Sequence, residues 1–408
     1  MKSTASDRDT LRELAKRYAD LCRDQDQQRR REVWRRHNSL QPARPPMYVR
    51  AFGWSEMAAS RCVCRDPLFR RIENHLRCEL FRADFHDDYI FEPWVSVEAE
   101  YACTGWGVEI HRIESGVEHG AFKVDYAIRE PEDFAKLRPP RHEIDEAATA
   151  AKLVRVQEAI GDLIAVNLDR GPYYRMWTAD LSTDLGLLRG IEHLMLDMLD
   201  RPEWYHQLLA FLRDGVLRAQ DKAEADGDWG LCDHQNQAMP YAEELQDSAA
   251  NARGVRRSQL WCFMAAQEYT GVSPAMHNEF LLQYQLPILR KFGLVAYGCC
   301  EDLTHKIGIL RQIPNLRRIA VSPFANVARC AEQIGRDYVL SYRPSPADMV
   351  SYGFDEHRIR TILRRDLQAC RNCFVDITLK DVETVQGDPS RVGRWVAIAR
   401  QEIEAAFG

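Results

Sequence analysis

Apolar positions at Leu11, Leu14, Ala15, Tyr18 and Leu21 recur at helical spacing, so the chain opens with an amphipathic helix that lays one face on the body of the protein. The basic run from Arg29 to Arg36 continues it; acidic residues lie close by, and the run reads as a solvated helix face. After Pro45 and Pro46 the pattern changes, and residues 47–53 form a short apolar run ending in glycine that suits a first buried strand. Similar runs recur at residues 90–97, 163–168, 259–266, 294–298, 318–321, 338–341 and 374–377, most of them separated by helix-like stretches. The clearest helix covers residues 202–225, with proline in its first turn and Trp204, Leu208, Leu209, Leu212 and Val216 on one face. Others cover residues 274–292 and 390–407.

This alternation predicts parallel strands joined by crossover helices. The expected architecture is α/β: a (β/α)8 barrel over residues 46–408, its wall closed by the last helix, preceded by a helical extension over residues 1–45. Residues 226–255 break the alternation, and their 229–234 run suits an extra strand in a loop over the barrel mouth. No short-period repeat or low-complexity tract is present, which leaves solenoid and propeller readings without support.

Composition narrows the function classes. With 45% apolar and 28% charged residues in 408, the chain has ample material for a sizeable core. A formal net charge of -6 supplies no basic field, which argues against a dedicated nucleic-acid binder and for a small-molecule substrate or protein partner. The opening MKSTASDRDT has no apolar signal region, and no stretch approaches the roughly 18–20 uncharged apolar residues of a membrane span, so a cytoplasmic location is expected. In that setting the 12 cysteines are expected to be reduced thiols.

Barrel enzymes carry their chemistry where strands end, and several strand-like runs here end in polar residues. Tyr297-Gly298-Cys299-Cys300-Glu301-Asp302 brings two thiols and a carboxylate to one such end. Cysteine and glutamate can hold Zn2+, and a metal makes thiolate available near neutral pH. Glu301 also suits an acid, a base or the start of the next helix. Glu268, in Gln267-Glu268-Tyr269, ends a strongly apolar strand where a charge is expensive without a partner or a task. Cys232-Asp233-His234 offers a ligand or a general base. Asp169, Arg170 and Tyr173 follow the third strand, where an arginine could grip a substrate carboxylate or form an ordinary ion pair. Arg50, Arg343 and Lys380, with Asp381 and Glu383, follow other strands. Cys62-x-Cys64 and Cys370-x-x-Cys373 have no second pair at zinc-finger spacing and read as structural. Neither a G-x-x-x-x-G-K-[ST] loop nor a strand-borne G-x-G-x-x-G occurs.

Together, residues 297–303, Gln267-Glu268, Ser273-Pro274 and residues 379–385 resemble a branch of the uroporphyrinogen decarboxylase-like superfamily. Trp34-Arg35-Arg36-His37-Asn38 followed by Arg44-Pro45-Pro46 extends the likeness to the approach to the first strand. The resemblance implies a (β/α)8 barrel and either porphyrinogen decarboxylation or methyl transfer. Methyltransferase relatives use a zinc site to pass methyl groups between a small substrate or thiol and a corrinoid protein. Those relatives carry His-x-Cys where this chain has Tyr297-x-Cys299, and a further cysteine where it has Thr378-Leu379. A different zinc ligand set is conceivable from His234, Glu268, Cys299 and Cys300. The first-strand arginine motif of the decarboxylases survives only as the echo Pro46-Met47-Tyr48-Val49-Arg50.

The expectation is therefore a corrinoid-linked methyltransferase, with zinc as cofactor and a corrinoid protein, and a second copy of the chain, as partners. Glu268, Cys300 and Glu301 would be catalytic, and Arg50, Asp169, Arg170, Tyr173, Tyr297, Arg343 and Lys380 would bind substrate. A polycarboxylate decarboxylase and a non-catalytic ligand-binding barrel are the alternatives.

Overall fold

In the computed structural model, which describes residues 5–116 and 122–408, two parallel sheets share the expected strand–helix alternation. Six strands form one sheet: β1 (Met47–Val49) and five later strands that follow one another in the chain. Between them come β2 (Trp94–Glu98), the pair β3 (His111–Glu114) and β4 (Phe122–Asp125), and β5 (Ala165–Asp169). The later five are β6 (Trp261–Met264), β7 (Leu294–Tyr297), β8 (Leu316–Val321), β9 (Val339–Tyr342) and β10 (Phe374–Leu379). The order of the large sheet is β6-β7-β8-β9-β10-β1, every pairing parallel, so the first strand lies beside the last and the sheet curls into a half-barrel. Strands β2 and β5 make a separate parallel pair, and β3 and β4 an antiparallel hairpin.

The expected closed eight-stranded barrel is thus replaced by a six-stranded arc and a two-stranded sheet, and the two seams have a physical cause. Backbone groups at a strand edge must be satisfied, and short polar side chains can do this in place of a neighbouring strand. At the outer edge of β1 the Asp87 carboxylate accepts from Val49 N at 2.7 Å and the Asp88 carboxylate from Met47 N at 3.0 Å. Arg82 donates to Val49 O on the same edge. At β5, Asn251 behaves as a one-residue strand: its side chain accepts from Leu168 N at 3.1 Å and donates to Val166 O at 3.0 Å. Residues 229–234, expected to be an extra strand, form none; they run through turns whose Gly230 N and Asp233 side chain are bonded to each other at 2.6 Å.

Strands of the large sheet are buried on both faces. Trp261, Phe263, Ala265, Leu294 and Ala296 form an inner cluster, while Cys262, Met264, Val295 and Tyr297 join the main core on the helix side. The helix Pro202–Ala225 buries Leu208, Leu209, Leu212 and Val216 as its pattern predicts, and the final helix Ser390–Phe407 buries Trp395, Val396 and Ala399. No helix among the described residues is long and apolar enough to cross a membrane.

The N-terminal segment is two helices, Ala5–Cys22 and Asp26–Asn38. The first packs Leu11, Leu14 and Tyr18 into a second core with Ile72, Leu76, Val95, Val97 and Val166, covering the small sheet. The second brings His37 to 3.1 Å from Asp376 of β10 and Asn38 to 2.6 Å from Arg318 of β8. The basic run on this helix is held by the protein itself: Arg31 pairs with Glu92 at 3.0 Å and Arg35 with Asp247 at 2.8 Å.

Candidate active site

Strand β7 ends at Gly298, whose φ of +95° is open to glycine and costly for other residues; a Cβ there would also lie 2.5 Å from Leu303 Cδ1. This turn presents Cys299 and Cys300, with their sulfurs 3.5 Å apart. Behind them the buried Glu301 carboxylate accepts from Cys299 N at 2.7 Å and from Ala266 N at 2.8 Å. Each oxygen holds a backbone amide, so Glu301 is a clamp between the ends of β6 and β7, and it is buried outside the lining of the cavity where its expected acid or base role would be served.

Three cations converge on the thiols from neighbouring strand ends. Arg343, after β9, donates to Cys299 O at 3.0 Å and is buried with no carboxylate partner among the described residues. Lys380, after β10, holds its ammonium 3.3 Å from Cys299 Sγ and 3.0 Å from Cys300 Sγ, and pairs with Asp381. Asp381 itself sits at a φ of +57°, a strained conformation for a non-glycine residue. Arg50, after β1, lines the same cavity, and its guanidinium makes no hydrogen bond or ion pair among the described residues. Glu268 enters from the end of β6, its stem against Gly186, where an added Cβ would stand 2.9 Å from Glu268 Cγ. Glu268 Oε2 is buried and has no hydrogen-bond partner among the described residues. Arg50, Trp177, Glu268, Cys299, Cys300 and Lys380 together line a cavity of about 460 Å3.

Electrostatics divide this cavity into two sides. On the thiol side the hydrogen bond from Cys300, with Arg343 and Lys380 nearby, holds the Cys299 thiol well below the usual range. The same bond to Cys299, together with burial, pushes Cys300 up, so the pair retains one proton and one negative charge. Burial works against the Lys380 ammonium, yet Cys299 and Asp381 outweigh it and raise its pKa. On the other side, behind Glu268, burial and the Glu268 charge push Asp180 well up. Asp184 rises to about 7 through burial and Glu268, against the Trp106 indole N–H that donates to it at 2.7 Å. These two carboxyls flank Leu181, which adopts a φ of +66° at the start of the helix Ser182–Leu188.

Other residues singled out from the sequence lie elsewhere. Tyr297 points to the helix layer: its hydroxyl donates to Gln285 Oε1 at 2.7 Å and meets His277 Nε2 at 2.9 Å. His234 sits at the opposite end of the strands, where Nδ1 accepts from Trp261 N at 3.2 Å and Nε2 bonds Gln246 O at 3.0 Å. Trp261 is level with Leu294 at the start of β7, so roughly 15 Å of strand separates His234 from Cys299. Burial lowers the His234 pKa to about 4, which keeps the ring neutral. Arg170 is consumed by Asp228 at 2.6 Å and Glu146 at 2.8 Å, and Asp169 by Arg175 at 3.0 Å. Tyr173 lines a second cavity of about 430 Å3 with Glu98, Tyr101 and Arg175; Trp177 forms the wall common to both cavities.

Sequence reasoning missed Trp177, Asp180, Asp184 and Arg175. The available signal was two acidic residues inside the leucine-rich run 179–188, a costly placement without a task.

Zinc does not fit these residues. Its expected ligands are not assembled, because His234 is remote, and the place between the two sulfurs and Asp381 is taken by the Lys380 ammonium. A coordinating metal would meet that ammonium and two nearby guanidinium groups. Among the described residues the three-donor cluster lies elsewhere, at His142, Asp226 and Asp228. There Asp228 is already neutralised by Arg170 at 2.6 Å and Arg253 at 2.7 Å.

No protein-family model and no curated protein matches the chain. Among solved structures it is similar to a methyltransferase from Methanosarcina mazei, with a TM-score of 0.53 and 11% identity over 92% of this chain and 98% of that one. At such identity the likeness is one of fold, and it runs through nearly the whole of both chains.

Proposed function

We propose that this chain is a methyltransferase of the uroporphyrinogen decarboxylase-like superfamily. It would hand a methyl group from a small methylated substrate to a corrinoid carried by a partner protein. The observation that carries this reading is the cavity itself: the Glu268 carboxyl faces a thiolate–cation group across a space sized for a small substrate. The whole-chain likeness in fold to a methyltransferase supports it.

In the transfer the bond from methyl carbon to the donor heteroatom breaks, the heteroatom keeps the bonding pair, and the methyl carbon joins the acceptor's electron pair. A corrinoid, when bound, would supply that electron pair. The residues of this chain supply the rest. Glu268, whose carboxyl lines the cavity, is the group placed to hand a proton to the departing heteroatom. Arg50, unpaired at the rim, holds an anionic group of the donor. Trp177 gives the methyl-bearing end an aromatic wall. Beside the mouth, the helix Ile191–Asp200 leaves Ile191, Met195, Leu196 and Leu199 exposed, and Met195 reaches the loop after β6 at Gly271. That apolar face suits the docking of a cofactor-bearing partner.

Decarboxylation of a polycarboxylate fits less well, because Glu268 and Asp381 line the cavity, with Asp180 and Asp184 buried behind Glu268, while Arg170 and Arg175 are already paired. A silent binding barrel leaves the raised carboxyls without a reason to be retained. The test is to incubate the purified protein with chemically reduced free cobalamin and a panel of methylated amines, ethers and thiols. Methylcobalamin should form, by its absorbance, with at least one donor. Absence of transfer from every donor, with carbon dioxide released from a polycarboxylate, would reverse the reading.

A further inference from the structure

We propose that Cys299, Cys300 and Lys380 form a metal-free thiolate–ammonium centre in which Cys299 is the nucleophilic sulfur and Lys380 is its resident cation. The geometry has three parts. The Lys380 Nζ lies 3.3 Å from one sulfur and 3.0 Å from the other, in the space a metal shared by the two thiols would need. The sulfurs are 3.5 Å apart, so the two can share one S–H proton. Arg343 fixes the Cys299 carbonyl at 3.0 Å and Glu301 fixes its amide at 2.7 Å, which locks the backbone that aims the sulfur. Among the described residues no other cysteine sulfur receives a hydrogen bond from a charged nitrogen.

The substrate class follows from the sulfur: a soft carbon electrophile with a leaving group, small enough for the cavity of about 460 Å3. Cys299 Sγ forms the new bond to carbon while the bond from carbon to the leaving atom breaks. The leaving atom keeps that bonding pair and takes the Cys300 proton. Cys300 then carries the negative charge beside Lys380, so one anion faces one ammonium before and after the step. No metal and no redox partner enters the balance. Lys380 acts through the sulfurs and is a positioning residue. The assignment does not depend on methyl transfer to a corrinoid.

The experiment is alkylation of the full chain with limiting iodoacetamide across pH 5–9, mapped by mass spectrometry, with zinc content measured on the same sample. Cys299 should react first, about tenfold or more faster than the other cysteines at pH 7, with its rate persisting below pH 8. Lys380→Met should lower that rate about tenfold at pH 6–7 and move its midpoint up, while Lys380→Arg restores much of it. Zinc should be far below one per chain, and added zinc should not protect the pair. Stoichiometric zinc that shields both cysteines until a chelator removes it would overturn the proposal. So would a Cys299 no faster than the half-exposed Cys62. If Lys380→Met does not fold, the map and metal content of the unmodified protein decide alone, and neither readout involves a methyl donor.

Discussion

Glu301 accepts the amide proton of Cys299 at 2.7 Å and, with its other oxygen, that of Ala266 at 2.8 Å. One buried side chain therefore ties the strand end that carries the thiols to the one that carries Glu268. Glu301→Gln turns one acceptor into an N–H that faces another N–H. The expected cost is about 1–3 kcal/mol of stability, with the alkylation advantage of Cys299 reduced as its backbone loosens. Denaturant unfolding and mapped alkylation check both parts.

Asp184 carries a sign that can be tested. Its carboxyl keeps its proton up to about 7 in the folded chain, whereas an unfolded aspartate loses its proton near 3.9. Between those values the folded state binds the extra proton, so this group's contribution is fully present below about pH 4 and is lost as pH rises through about 7. Asp184→Asn, which keeps an acceptor for the Trp106 indole, should flatten the decline by about 3 kcal/mol across that window. Unfolding free energies of both proteins at pH 4.5 and pH 8 measure it. An equal slope in the two would show that Asp184 titrates normally.

The Arg50 guanidinium has no hydrogen-bond or ion-pair partner to lose among the described residues, so Arg50→Ala should leave the melting temperature within error of the parent. If it holds an anionic group of the donor, KM should rise about tenfold or more while kcat changes little. Steady-state kinetics with an anionic and a neutral donor separate this from a general loss of activity.

Tyr297 gives the opposite pattern. Removing the hydroxyl that meets Gln285 at 2.7 Å and His277 at 2.9 Å should cost about 1–2 kcal/mol, with KM for every donor unchanged. Thermal unfolding and kinetics of Tyr297→Phe test it.

The different outcomes for Tyr297 and Cys299 show what the sequence could convey. Apolar runs located all eight strands of the two parallel sheets to within a few residues, and the polar residues just beyond them included Arg50, Glu268, Cys299, Cys300, Arg343 and Lys380, all near the mouth. A strand buried on both faces carries no alternation, so nothing in Leu294–Tyr297 told which side Tyr297 would take. The seams were equally silent, because Asp87, Asp88 and Asn251 replace strand partners one side chain at a time and leave no periodic trace. The hairpin β3–β4 was missed since its first strand is exposed throughout and has no buried face to pattern it. His234 read as a mouth residue because residues 226–255 were placed over the wrong end of the sheet; the backbone N–H of Trp261 fixes it at the other.

The central claim is that Glu268 and the thiol group across from it work on one bound substrate. The direct measurement is single-turnover methyl transfer to free reduced cobalamin by the parent, Glu268→Gln and Cys299→Ser proteins at saturating donor. Glu268→Gln should fall about 100-fold in rate with a melting temperature no lower than the parent's, since its buried Oε2 has no hydrogen-bond partner among the described residues and its charge opposes Asp180 and Asp184. Cys299→Ser should also slow markedly. Parent-like rates in both variants would contradict the account.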